Sequence, residues 1–286
     1  MTVCVVTDSV ASIPDEDARE LGIDVVSLYI NDGETNQQEL DIDVPDFYRR
    51  LVSMKTLPTS SQPSVDSLVT TFRSIIERGS DVVGVFISAK MSGTFETAMM
   101  AADMVRSEHP DARIELVDSG SNSLQEGFAA LAAAQAARAG ESLEQCVQVA
   151  RDTMSRTRFL FTPASLDNLR RGGRIGGASA LIGGLLQIRP ILTVEQGETQ
   201  TFAKVRTQSR ALTEIAKTFA DDVAEHGLAK VIVHYIGESG PAEEFAEKYI
   251  EPIAGAPVRV LPVSPVVGLH VGQAVAIVYQ TERSLR

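Results

Sequence analysis

Four runs in the first half of the chain restrict the fold more than any other feature: VCVVTDS from Val3, IDVVSLYIN from Ile23, DVVGVFISAK from Asp81 and ARIELVDS from Ala112. They are continuously apolar and do not alternate, so each reads as a strand buried on both faces. Between them lie segments of helical periodicity, near PDEDARELG and over Pro45–Ser53, Val65–Arg78 and Phe95–Glu108. Strands of this kind separated by helices indicate a parallel sheet covered on both sides. The following segment, QEGFAALAAAQAARAG, is a helix that packs through a narrow alanine surface.

From about Thr157 the pattern changes. PILTVEQGETQTFAKV reads as two strands joined by a turn at Gln196 to Glu198, an antiparallel signature. The later runs AKVIVHYIG, VRVLPVS and AVAIVYQ flank helices over Gln208–His226 and Pro241–Ile250. The expected architecture is therefore α/β in two lobes. Residues 1–156 form a mostly parallel sheet with helices on both faces, and residues 157–286 form a smaller α/β lobe with a mixed sheet. No internal repeat or low-complexity linker interrupts the 286 residues.

Composition narrows the function classes. A formal net charge of -12 opposes broad attraction to nucleic acid or to an anionic membrane surface. With aromatics at 5% and no tryptophan, the chain is no platform for stacking bases. Any anion site must be local. Cys4 and Cys146 lie in apolar or helix-like runs and read as buried thiols of a reducing compartment, without a disulfide framework. No run of about 18 apolar residues suggests stable membrane insertion, and the chain enters a strand-like run at once, so the expected location is the cytoplasm.

Three of the parallel strands end in hydroxyls or carboxylates: Thr7, Asp8 and Ser9 after the first, Ser88 and then Ser92, Gly93 and Thr94 after VVGVFI, and Asp118 and Ser119 after IELV. Ligands of open parallel sheets bind beyond the carboxyl ends of the strands, while Ser, Thr and Asp also serve there as caps and turn formers. The Ser92–Gly93–Thr94 triplet is the sharper signal because it precedes a helix. Free N–H donors, a positive dipole end, two hydroxyls and a glycine that admits close approach suit a carboxylate or phosphate. No P-loop and no G-x-G-x-x-G accompanies it. TSSQPSVDSL behaves alike: Ser64 reads as a helix cap, whereas Ser60 and Ser61 lie on an irregular loop and are both ligand candidates.

In the second half, Arg170, Arg171 and Arg174 surround Gly172 and Gly173 in a compact basic turn. A glycine-rich apolar helix follows, with small residues at Gly176, Gly177, Ala178, Ala180, Gly183 and Gly184. Small residues admit a close neighbour, either another helix or an aliphatic chain in a tunnel. His109 and His226 lie at helix ends and His234 within a strand, while His270 occupies a glycine-flanked loop before the last strand, well placed to face a crevice. Nothing is spaced as a zinc site, and G-x-S-x-G is absent.

The set SSQPS, ISAKMSGT, LVDS, DNLRRGGRI, RPIL and KVRT, in this order across nearly the whole chain, resembles the DegV family, the bacterial fatty-acid-binding proteins that serve as acyl carriers of fatty acid kinase (FakB type). The resemblance implies two α/β lobes with one long-chain fatty acid in a tunnel between them and no cofactor or metal. It places head-group contacts on Ser60 or Ser61 and on Ser92 with Gly93 and Thr94, and a histidine at His270. It also implies a fatty acid kinase subunit as partner, with Arg170, Gly172, Gly173, Arg174 and Arg206 at the tunnel or the docking face. The family's H-T-G-P-G pattern reads here His270, Val271, Gly272, Gln273, Ala274, so the proline and second glycine are missing. Ser60 stands for the family's threonine and Arg189 for its lysine before PIL. The expected function is a non-enzymatic carrier, without catalytic residues, that presents the fatty acid for acyl-phosphate formation. The alternative is a kinase- or hydrolase-like enzyme acting on a small polar anion, with His270 as base or attachment point.

Overall fold

The computed structural model describes residues 2–51, 54, 56–181 and 188–285. In chain order the first half comprises β1 (Val3–Asp8), α1 (Asp15–Leu21), β2 (Asp24–Val26), β3 (Tyr29–Asn31), β4 (Asn36–Gln38), α2 (Val44–Leu51), β5 (Thr59–Ser61), α3 (Val65–Glu77), β6 (Asp81–Phe86), α4 (Thr94–Glu108), β7 (Ile114–Asp118), α5 (Ser123–Arg138) and α6 (Leu143–Ser155). The second half continues with β8 (Thr157–Pro163), α7 (Asp167–Arg171), β9 (Arg189–Glu195), β10 (Glu198–Val205), α8 (Gln208–His226), β11 (Lys230–Ile236), α9 (Gly240–Phe245), α10 (Glu251–Ala254), β12 (Val260–Pro262), α11 (Pro265–Val271) and β13 (Ala274–Gln280).

Two compact units result, Met1–Asp41 with Ser60–Met154, and Ile42–Thr59 with Ser155–Arg286. Segment 42–59 thus clusters with the later part of the chain, which makes the second unit the larger by residue count. The reason lies in α2: the Tyr48 hydroxyl donates to the carbonyls of Val263 (2.7 Å) and Ser264 (3.2 Å), and Gly268 of α11 leaves room for its ring.

In the first unit the order β2-β1-β6-β7 is parallel throughout. Successive side chains of a strand point to opposite faces. Val6, Val82, Phe86 and Ile114 therefore join Phe72 of α3 and Val105 of α4 in one core layer, while Thr7 points the other way, to Glu126 of α5. Burial on both faces explains the continuous apolar runs. The alanine-rich α5 presses close enough that a Cβ on Gly127 would fall 2.6 Å from the Ala11 carbonyl oxygen.

The run expected as one strand from Ile23 is two. At its centre Leu28 N donates to Ser9 Oγ (2.9 Å) and Ser27 Oγ donates to the Leu28 carbonyl (2.8 Å), so side chains take the backbone groups a ladder would use. The first piece stays in the parallel sheet and the second enters a three-stranded sheet of order β4-β3-β5.

The second unit has a six-stranded mixed sheet, β10-β9-β8-β13-β11-β12, in which, among the described residues, β11 and β12 pair parallel and the other four pairings are antiparallel. The β9–β10 hairpin turns on Gln196 (φ 52) and Gly197 (φ 82), both left-handed as a tight two-residue hairpin requires. Leu160, Ile191, Phe219, Phe245, Ile277 and Tyr279 form its core. The helix expected over Pro241–Ile250 is a longer run, α9, a π-helical turn over Ala246–Ile250, then α10.

Candidate functional site

The hydroxyl loops meet in the first unit through a residue that motif reading passed over. The Gln62 side chain lies against Gly93, where a Cβ would fall 2.9 Å from Gln62 Nε2. Ser64 caps α3 by accepting from Ser67 N (3.1 Å), and Pro63 is buried, so both shape the loop as expected. Ser60 and Ser61, however, sit on strand β5 and not on an irregular loop. Alternation sends their side chains to opposite faces. Ser60 is half-buried and Ser61 exposed.

Gly93 caps α4 without a side-chain bond, which leaves donors of the first helical turn open. Ser92 Oγ accepts from Thr94 N (3.3 Å) and pairs with the Thr94 hydroxyl (2.9 Å). Thr94 is fully buried, whereas Ser92 is half-buried, so Thr94 orients the Ser92 hydroxyl.

The other strand-end groups are mostly spent within the fold. Ser9 Oγ donates to Glu39 Oε2 while accepting from Leu28 N, and Ser119 Oγ donates to the Ser121 carbonyl. Asp118 Oδ1 accepts from Gly120 N (2.8 Å) and Ala89 N (3.3 Å). Asp8 accepts from Val10 N (2.9 Å) and Ile87 N (3.0 Å). Burial raises the Asp8 carboxyl to about 7, opposed by those two N–H groups and reinforced by negative Glu39. Glu126, wholly buried in the first turn of α5, is raised well above the ordinary range by burial and then by Asp8. A cavity of about 300 Å³ opens beside Asp8, Ile13, Arg19 and Leu40, apart from the hydroxyl loops.

In the second unit, strand register gathers residues that are distant in sequence. Val205 lies opposite Arg189, and Ala274 opposite Pro163. The Arg189 guanidinium donates to the Ala164 carbonyl. One end of the sheet therefore carries exposed Arg206, Arg189, the α7 turn and the His270–Gly272 segment. His270 sits in the last turn of α11, not in a loop. Ser264 caps that helix by accepting from Val267 N (3.3 Å), with Pro265 in its first turn.

The arginine turn packs on this helix end. A Cβ on Gly172 would fall 2.3 Å from His270 Nδ1, and Asn168 Nδ2 donates to the Leu269 carbonyl (3.0 Å). Gly173 takes φ 71, a left-handed value that favours glycine. Arg174 donates to the Gly172 carbonyl (2.5 Å), Arg170 pairs with Asp167 (3.5 Å), and both arginines are exposed. Burial and then the positive Arg174 push His270 down to about 4, so its ring is neutral at pH 7.

The small residues after this turn form a 3-10 helix over Gly176–Leu181, where Gly177 packs on the Gln200 side chain of β10 and Gly176 on the Thr199 backbone. Their close neighbour is a strand. Gly183 and Gly184 lie outside the described residues. Among the described residues, no helix is long and apolar enough to cross a membrane.

A parallel sheet in one unit and a mixed sheet in the other define a two-unit α/β protein. The chain belongs to the DegV family: the model of an uncharacterised protein of that family matches residues 2–282. A DegV domain-containing protein of Clostridium acetobutylicum is 41% identical over 287 residues, covering 100% of both chains. A stearic acid-binding protein of Eubacterium ventriosum superposes with TM-score 0.88 at 26% identity, over 97% of this chain and 98% of that one. DegV of Bacillus subtilis, a fatty acid binding protein, gives 0.87 at 29% identity, over 98% and 99%.

Proposed function

We propose that the protein binds a long-chain fatty acid and presents its carboxylate to a separate kinase for acyl-phosphate formation. The observation that carries this reading is the junction of Gln62 with Gly93, which brings the β5 loop to the open start of α4. The fatty-acid binding of the Eubacterium ventriosum and Bacillus subtilis proteins supports it. Ser92 and Ser60 supply the hydroxyl donors, Gly93 admits the head group and Thr94 orients Ser92. Ser60 is favoured over Ser61 because it is the half-buried member of the pair. A carboxylate leaving water needs several such bonds to offset its desolvation. About a dozen buried methylenes at roughly 0.8 kcal/mol each contribute on the order of 10 kcal/mol before entropic costs.

His270 is a neutral hydrogen-bonding group of the second unit. A base held at about 4 has little affinity for a proton at pH 7, which weighs against the alternative of an enzyme using His270 as general base. Exposed Arg170, Arg174 and Arg206, with Gly172 and Gly173 shaping the turn, form a basic face on a chain of net charge -12 and suit an acidic surface of the kinase. Native mass spectrometry of protein from a bacterial host tests the reading. A co-purifying mass of a C14 to C18 fatty acid is expected, and a small polar adduct in its place would reject it.

A further inference from the structure

We infer that Asp8 and Glu126 share one proton and that, through Asp8, the pair fixes the turn carrying Ser92–Thr94, so that both are positioning residues of the head-group site. The second half of this inference rests on the fatty-acid reading above.

Both side chains have 0% exposure, Asp8 at the end of β1 and Glu126 in the helix laid over that strand. Glu39, beyond β4, and Asp118, at the end of β7, act on the pair as negative charges. Arg19 and Asp15 line the cavity beside Asp8, and that arginine pairs with Asp15 (3.4 Å). The two carboxyls lie within hydrogen-bonding reach of each other, and two carboxylates at this depth are not both ionised, so one stays neutral. The backbone decides which. Asp8 accepts two N–H bonds, from Val10 and Ile87, which favour its anion. Among the described residues, Glu126 accepts from the Thr7 hydroxyl (3.4 Å) on Oε1, and Oε2 meets no donor. An ionised Glu126 would leave Oε2 buried and unpaired, whereas the acid form donates to the Asp8 carboxylate.

The path to the ligand loop is short. Ile87, held by Asp8 Oδ2, precedes Ser88, whose carbonyl accepts from Met91 N (2.9 Å) and Ser92 N (3.1 Å). Ser88 N in turn donates to the Ser121 carbonyl (2.8 Å), one residue before the cap of α5. Asp8 therefore holds the first residue of the turn, and α5, which carries Glu126, backs its second.

Two measurements on the full chain decide the inference. Infrared spectra of the unaltered protein at about pH 8, above the Asp8 value of about 7, should contain a protonated-carboxyl stretch that Glu126→Gln lacks. No such band, or one that persists in the variant, overturns the shared proton. Affinity for the fluorescent polyene cis-parinaric acid should fall several-fold in the unaltered chain as the pH is raised from about 8 into the alkaline range, where the pair loses its last proton, and stay level in Glu126→Gln, whose amide remains a donor. Parallel profiles overturn the positioning role. Absence of probe binding by the unaltered chain at every pH would overturn the fatty-acid reading and the positioning role with it, while the infrared band still decides the proton.

Discussion

Beside β1 the first unit buries carboxyls, Asp8 at the strand's end and Glu126 in α5; the second unit buries the imidazole of His234 within β11 and half-buries that of His270 at the end of α11. In each case burial opposes the charged form, but the consequence has opposite sign. The carboxyls, raised in the folded state, hold protons that the unfolded chain releases. Their contribution is present below about pH 4.5 and is lost as pH rises through neutrality. His234, fully buried and bonded through Nδ1 to the Leu261 carbonyl (3.0 Å), is pushed down to about 4 by desolvation. It refuses a proton that the unfolded chain accepts, so its contribution is present above about pH 6.5 and is lost on acidification. One unit is weakened by base and the other by acid, and between about pH 4.5 and 6.5 the two dependences run in opposite directions.

The largest expected effect breaks this symmetry from the acid side. Between pH 7 and pH 4 the second unit should lose about 3 kcal/mol through His234 alone. Hydrogen exchange should accelerate in β11 and β13 while β1 and β6 stay protected, and His234→Gln should remove about one proton's worth of the pH slope. Equal acid sensitivity of both sheets would refute the contrast.

Glycine substitutions compare the packing of the two candidate regions. Gly172→Ala drives a Cβ into a half-buried ring held beside the arginine turn, and should cost about 1–3 kcal/mol in chemical unfolding. Gly93→Ala meets first the end of the exposed Gln62 side chain, which can move aside, so its stability cost should be under about 0.5 kcal/mol while fatty-acid affinity drops. Reversal of these two costs would show that the first region is the rigid one.

Smaller effects separate the hydroxyls. Ser92→Ala should weaken fatty-acid binding about fivefold in titration calorimetry, near 1 kcal/mol for one hydrogen bond. Ser60→Ala should follow, and Ser61→Ala should leave affinity within about twofold. A dominant Ser61 would mean that the ligand approaches β5 from its exposed face.

The elements most legible in the sequence were those specified locally. Buried parallel strands follow from unbroken apolar runs, α8 spans Gln208–His226 as its periodicity indicates, and Ser64 caps α3. What escaped depended on partners far along the chain. The break at Ser27–Leu28 needs Ser9, nineteen residues earlier. The place of α2 needs carbonyls of Val263 and Ser264, 215 and 216 positions away. Glu126 looks like a surface residue on a helix, yet that helix is apolar almost all round, the mark of burial on every side. His270 was misplaced despite a readable signal, since Ser264 followed by Pro265 is a helix start.

The Tyr48 hydroxyl sets a practical limit on dissection. Because it is anchored on Val263 and Ser264, the chain leaves the first unit after Asp41 and re-enters it at Ser60 before departing again near Met154. No single cut yields either unit whole. A fragment ending at residue 154 would strand α2 without its acceptors, and one beginning at 155 would expose the Gly268 hollow that the tyrosine ring fills. Independent expression calls for splicing: a linker in place of 42–59 in one piece, and that helix supplied in trans, as a peptide, to the other.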